Sequence, residues 1–442
     1  MNAFPSQRRV FFCLLGMSLL GSGVAEAQKR DELSVSSAER EDERRRQTSL
    51  ILRDQLTLAR TMKLAEERSP RVQSVIAALE AAGTFRAFGK VPVVRNPYIN
   101  LRAMVGFPDD PAATYEVNAG IPFDVGGQRR YWRKEAEALI SQLEAQLEVA
   151  RNDARSQARV AFVSAGLGAL AVQVEGQRVE LANGLLQRVR ARMEAKAATA
   201  LDIALAEREV AQAQASLLAA RRVYERAKVD LREALDLPPL SELDIASLEL
   251  PRLPTNLTAE RAARMARDRR FESEALERAA QRFERSERRL RAQAIEPFFL
   301  GPSYELQGNT ARLSSVGVNA SFTLPFVFTN QAERAVARGE AKRARIESSI
   351  VRRTVEREAS GAFLSLEFLL QELERIEREA LPLSQRIVEM RETQLVSGAA
   401  DIFLVLLAQR DLYGVRAQRV EALRQAWYAR IALERAVGAS LP

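Results

Sequence analysis

Leu231-Arg232-Glu233-Ala234-Leu235 returns as Leu433-Glu434-Arg435-Ala436-Val437, about 202 residues downstream. The same offset relates Leu205-Ala206-Glu207-Arg208 to Leu407-Ala408-Gln409-Arg410, and Ile121-Pro122-Phe123 to Leu324-Pro325-Phe326. Leu56-Thr57 with Leu64-Ala65 and Arg68 returns as Leu257-Thr258 with Met265-Ala266 and Arg269. The 442-residue chain is therefore read as a tandem duplication, and a repeat of this length sets the architecture before any local motif does. Each copy reads as a helix, two short strands and a very long helical hairpin. The first copy spans 51–237, with strands over about 96–107 and 113–123 and a hairpin over 127–237. A linker, 238–256, precedes the second copy, 257–442, with strands over about 298–308 and 312–326 and a hairpin over 329–438.

The hairpins carry a heptad pattern. Ile203, Val210, Leu217, Tyr224 and Leu231 recur at one position, and Ala206, Ala213, Ala220, Ala227 and Ala234 three residues further on. A large residue at one seam position and alanine at the other predict close, interlocking helix packing of the coiled-coil kind. The second copy repeats it with Val405, Leu412, Ala426 and Leu433, broken by Arg419, and with Ala408, Val415, Ala422, Ala429 and Ala436. No proline occurs between Pro122 and Pro238, so residues 127–195 have room for one helix of about 100 Å. The return helix, 199–237, is shorter, and a helix over 257–294 stacked on it makes up the difference. Pro382 lies inside the second long helix and is expected to kink or interrupt it, because proline lacks an N–H and clashes with the preceding turn.

The strands show period two. Ile99, Leu101, Ala103 and Val105 form one apolar face; Tyr115, Val117, Ala119 and Ile121 another. Tyr304 and Leu306, then Val316, Val318, Ala320, Phe322 and Leu324, do the same in the second copy. Such alternation suits a small β-domain covered by helices, or a membrane barrel with its apolar side toward lipid. Four strands cannot close a barrel, and lipid does not tolerate open edges, so a barrel requires oligomerisation. Three chains supply twelve strands. The expected fold class is thus mainly α with a small membrane β-barrel, a trimeric twelve-stranded barrel on an α-helical tunnel.

Residues 1–27 read as a signal peptide: Arg8-Arg9, an apolar run Val10 to Leu20, and Ala25-Glu26-Ala27. Cys13, the only cysteine, sits in the apolar run without a lipobox-like setting. Residues 28–50 are charged and nearly free of apolar side chains, which predicts a mobile segment. There is no histidine, and no cysteine follows position 13. The commonest general base and metal ligand is therefore missing, and no phosphate loop or nucleophile elbow is present. These facts argue against an enzyme and against a cofactor or metal site. The net charge of +8 is mostly arginine, dense over 40–46 and 282–291. Interleaved acids and the export signal speak against nucleic acid as the partner.

The duplicated order, strand pairs and heptad hairpins resemble TolC-type outer-membrane efflux proteins over nearly the whole mature chain. Arg95-Asn96-Pro97, Gly126-Gly127-Gln128-Arg129-Arg130, and Leu324-Pro325-Phe326 followed by Asn330-Gln331 are most similar to the CzcC branch, which serves heavy-metal efflux. The resemblance implies a homotrimer in outer-membrane lipid, with its helices in the periplasm as a passive exit duct. It implies a periplasmic adaptor and an inner-membrane pump, of the resistance-nodulation-division type, as partners. It places Lys196 and Ala197, and Ser397, Gly398 and Ala399, at hairpin tips that meet the adaptor. Lys196 stands where the family usually has glycine.

Some members of that family ring the aperture with acids just past the second tip; here those positions are Leu404 and Leu407. The nearest acids, Asp202 and Asp401, are aperture candidates or ordinary first-turn acids. A hydrophobic constriction is the physical alternative to an acidic ring. Drug efflux, type I export and a periplasmic coiled-coil scaffold without a barrel remain open. An adaptor, with its single hairpin, ranks behind them.

Overall fold

The computed structural model describes residues 55–88, 95–105, 113–308, 312–397, 399, 401–439 and 441. The signal peptide expected over 1–27, the mobile stretch expected over 28–50 and the tip residue Gly398 lie outside the described residues. The chain divides into two units. The smaller contains residues up to Thr57 together with Leu237–Ala246. In it Leu56 forms a parallel bridge to Ile245, its N–H donating to Asp244 O at 2.8 Å and its carbonyl accepting from Ala246 N at 2.9 Å.

The larger unit, Leu58–Asp236 with Ser247–Pro442, contains every named element. In the first copy these are α1 (Leu58–Arg68), α2 (Pro70–Phe88), β1 (Tyr98–Val105), β2 (Ala113–Phe123), α3 (Gln128–Glu194) and α4 (Ala200–Ala234). The second copy follows with α5 (Ala259–Arg269), α6 (Phe271–Gln293), β3 (Phe298–Gly308), β4 (Arg312–Ser321), α7 (Gln331–Arg375), α8 (Leu381–Val396) and α9 (Ile402–Val437).

Three elements depart from the sequence expectation. The helix expected over 257–294 is two helices, α5 and α6, broken at Arg270, whose backbone is extended with ψ 113. The matching break in the first copy falls at Ser69, where Pro70 disfavours a helical residue before it. At Arg270 no proline is needed: its Nη1 donates to Arg435 O at 2.8 Å, tying the break to the end of α9. The strand expected over 312–326 stops at Ser321, because its last partner is Phe299, next to the start of β3 at Phe298. The strand expected over 96–107 begins at Tyr98, and residues 106 and 107 lie outside the described residues. Pro382 does interrupt its helix. A π turn at Ile376–Ala380 precedes it, with Leu381 N–H reaching back to Ile376 O. The wider turn absorbs the proline ring while the helix continues.

The four strands form one antiparallel sheet in the order β1-β2-β3-β4. Register puts Ile99 opposite Ala119 and Leu101 opposite Val117. Val117 in turn faces Tyr304, and Tyr304 faces Val316. All four apolar rows therefore lie on one face. That face is open: Ile99 is 74% exposed, Leu101 73%, Val316 83% and Val318 75%. The other face is polar and more enclosed, with Asn118 buried and donating to Glu116 at 2.7 Å, and Arg102 3.8 Å from Glu116. This is the reverse of a water-soluble half-buried sheet.

The helices repeat the order of the strands. Next to the sheet, α3 packs between α2 and α6, and α6 packs on α7. Farther along, α3 packs between α4 and α9, and α9 packs on α7 and α8. One open edge therefore runs through β1, α2 and α4, and the other through β4, α7 and α8. The alanine seam is the close contact. Ala206, Ala213 and Ala227 are buried while Val210, Leu217 and Tyr224 are half-buried. Opposite them, Gly168 of α3 lies so near Tyr224 that an added Cβ would be 3.1 Å from its Cα. A buried ion pair, Arg159 with Glu434, joins α3 to α9, and Arg430 adds a second contact to Glu434 at 3.2 Å. Burial chiefly, then Arg430 and Arg155, lower the Arg159 guanidinium to about 10, which still leaves it charged at neutral pH.

Two glycines of α3 should respond oppositely to alanine. Gly168→Ala forces the Tyr224 backbone outward and costs about 1–3 kcal/mol, the usual range for overpacking. Gly176→Ala meets no atom within 4 Å and gains about 0.5–1 kcal/mol of helix stability. Thermal unfolding of the detergent-solubilised protein checks both.

Candidate functional site

The two hairpin turns meet in space. Leu185, Val189, Ala206, Leu395, Ile402 and Val405 form one core under them, so both copies contribute to a single tip region. Arg188 of α3 makes a two-pronged bond to Glu392 of α8, 3.1 Å on each arm, and Gln409 of α9 donates to the same carboxylate at 2.9 Å. Arg192 links the turns directly: one arm donates to Leu395 O and another to Ala197 O at 3.1 Å.

The first turn is a Schellman motif. Lys196 N donates to Met193 O at 2.9 Å and Ala197 N to Arg192 O at 2.7 Å. Lys196 takes the left-handed conformation, φ 57, where glycine is the usual occupant. Thr199 then caps α4. Its N–H donates to Asp202 Oδ2 at 2.7 Å, and Asp202 N donates back to Thr199 Oγ1 at 3.3 Å. This capping box occupies Asp202. In the second turn Ala399 N donates to Gln394 O at 2.9 Å, the same six-residue closure. Asp401 is the N-cap of α9, accepting from Phe403 N at 3.5 Å. Both acids are thus engaged at helix starts, Asp202 as the N3 partner of Thr199 and Asp401 as an N-cap. Leu404 is half-buried and Leu407 exposed, one turn into α9. Lys196, Ala197, Ser397 and Ala399 are exposed, and around them stand the exposed apolar side chains Leu201, Val396 and Phe403.

Above the tips, Arg178 ties three helices. It pairs with Glu209 of α4 at 2.8 Å and lies 5.3 Å over the Tyr413 ring of α9. Burial outweighs Arg416 and Arg178 and pushes the Tyr413 hydroxyl up to about 12, so it stays neutral. Sequence reading missed Arg188, Arg192, Glu392 and Gln409. The only local signal was the spacing of Arg188 and Arg192 on one helix face; their partners lie 204 and 203 residues away.

The motifs at the other end of the helices build strand-to-helix junctions. Gly127 has φ 66, and Asp124 accepts from Gln128 N at 2.8 Å and Arg129 N at 3.0 Å to start α3. Asn330, φ 54, repeats the turn before α7 and donates to Leu290 O at 2.9 Å. Arg95 pairs with Glu296 at 3.3 Å.

Residues 261–439, almost all of the second copy, match the family model described as outer membrane efflux protein. The described residues carry the fold of TolC-type channels over 86–87% of the chain. It superposes on a membrane protein from Pseudomonas aeruginosa with a TM-score of 0.70 at 19% identity, covering 86% of this chain and 90% of that one. VceC of Vibrio cholerae gives 0.67 at 16% identity, covering 87% and 97%. CusC, described as forming a transmembrane channel, gives 0.68 at 13% identity, covering 86% and 92%. No curated protein matches this chain in sequence. In this fold the glycine-bearing and asparagine-bearing motifs form junctions, at the opposite end of α3 and α7 from the tips.

The caps generate a test. Asp202→Ala removes the box and should destabilise the first turn of α4 by about 1 kcal/mol. Lys196→Gly should relieve the left-handed strain by about 1 kcal/mol. Hydrogen exchange of the turn amides, 196–204, should quicken in the first variant and slow in the second.

Proposed function

We propose that this protein is the outer-membrane exit duct of a tripartite efflux system, working as a homotrimer. One observation carries the reading: sheet, strand-proximal helices and tip-proximal helices all expose the same two edges, beneath an open apolar sheet face. Joining β4 to β1, α7 to α2 and α8 to α4 of the next copy satisfies all three layers with one rotation, and three copies give twelve strands. A closed barrel then pairs every edge group and turns the Ile99–Val318 face to lipid. The helices continue from the barrel into the periplasm. The conduit does no chemistry; an inner-membrane pump of the resistance-nodulation-division type supplies energy.

The exposed tips, with Leu201, Val396 and Phe403 beside Lys196, Ala197, Ser397 and Ala399, suit docking on a periplasmic adaptor. Because Asp202 and Asp401 are bound up in the capping of α4 and α9, the aperture is assigned to Leu404 and Leu407 as a constriction that closes by dewetting. The cargo assigned is a heavy-metal cation, on the strength of the CzcC-like motifs; drug efflux is the alternative. A subunit without histidine suits a duct that passes soft metals without trapping them.

Single-particle electron microscopy of the detergent-solubilised protein tests the trimer. A threefold particle with a closed barrel supports the duct; a monomer or dimer with an open sheet removes it. In planar bilayers, Leu404→Asp with Leu407→Asp should raise conductance and make it cation-selective. Unchanged conductance would move the constriction elsewhere.

A further inference from the structure

We propose that the strand-proximal ends of the helices form a basic collar that binds anionic lipid headgroups of the leaflet nearest the helices. This rests on the outer-membrane reading above. Residues 124–135, 285–296 and 333–338, with Arg95, hold eleven cations and five carboxylates. That excess of six accounts for most of the chain's net +8.

Some arginines outside the collar are paired along their own helix, as in Arg343 with Glu347 at 2.8 Å and Arg378 with Glu374 at 2.8 Å. Here Arg130, Arg133, Lys134, Arg285, Arg288 and Arg291 have no carboxylate within ion-pair distance among the described residues. Packing explains why. Glu135 and Gln142 of α3 turn to Arg289 and Arg282 of α6, which leaves Arg130 and Arg133 on the open face of α3. Glu284 and Glu287 of α6 turn to Arg345 and Arg334 of α7, which leaves Arg285 and Arg288 outward.

Directly toward the sheet the surface becomes apolar. Phe123, Val125, Ile295, Phe326 and Phe328 are exposed, Phe328 at 84%. An apolar sheet face, an aromatic band and then unpaired guanidinium groups is the sequence of environments across a leaflet: acyl chain, interface, phosphate. Arginine stems cover the band while their forks meet phosphate oxygens in pairs.

The test uses the full-length protein in vesicles of phosphatidylethanolamine, with or without phosphatidylglycerol. Spin-labelled lipids report which headgroup the protein immobilises. The wild type should prefer phosphatidylglycerol, and added salt should weaken the preference. Arg130, Arg133, Arg288 and Arg291 changed together to Gln should abolish it, each lost cation lowering it about fivefold. Arg208→Gln with Arg222→Gln, exposed on α4 far from the sheet, should leave it intact. Insertion into both vesicles without headgroup preference overturns the collar and leaves the membrane reading standing. Failure to insert into either overturns both. Binding of purified peptidoglycan that is lost in the fourfold variant, without any lipid preference, overturns the lipid assignment in favour of a cell-wall polymer.

Discussion

A sheet with an apolar open face and an unpaired strand at each edge is stable in neither water nor lipid. Water penalises the exposed Ile99, Leu101, Val316 and Val318; hydrocarbon penalises the free N–H and C=O groups of β1 and β4. The rest of the architecture answers that constraint. Strand order is copied by the helices on either side of α3, so the layers present matching edges. The duplication makes this possible, because each copy supplies one strand pair and one hairpin with the same offset between them.

Long helices need uniform contact along their length, and alanine provides it. The seam of Ala206, Ala213 and Ala227 lets α3 and α4 approach closely, and Gly168 against Tyr224 is the tightest case. Interruptions are confined to places where another element takes up the strain. Pro382 sits behind a π turn, Ser69 precedes Pro70, and Arg270 is held by the end of α9. The buried Arg159–Glu434 pair fixes α3 against α9 midway. Removing one member of such a pair strands a charge, which costs more than the pair itself contributes.

At the tips polar groups serve geometry. Asp202 and Asp401 are spent on helix starts, and Arg188 and Arg192 on holding two turns together. On the early turns of α9 the side chains that stay at the surface are apolar, Phe403 and Leu407 exposed and Leu404 half-buried. At the far end the balance reverses: helix-to-helix pairing uses up the carboxylates and leaves arginines outward. The two ends of the same helices thus present different chemistry to different surroundings.

The duplication, the heptad seams and the strand periodicity are regularities of the sequence, and spacing alone determines them. Lys196 was legible as a departure from the glycine of the resembled family, and its left-handed backbone only in the structure. What the linear pattern left undetermined is non-local. β4 ends at Ser321 because its antiparallel partner β3 begins there, although Phe322 and Leu324 keep the alternation. α5 and α6 separate at Arg270 because the acceptor is Arg435 of another helix. Arg188 finds Glu392, and Arg289 finds Glu135, across separations that carry no periodic signal. Sequence determined which residues share a face, since backbone geometry repeats every two or 3.6 residues. Only the tertiary structure decided which faces meet and which charges remain unpaired, since that depends on packing between distant segments.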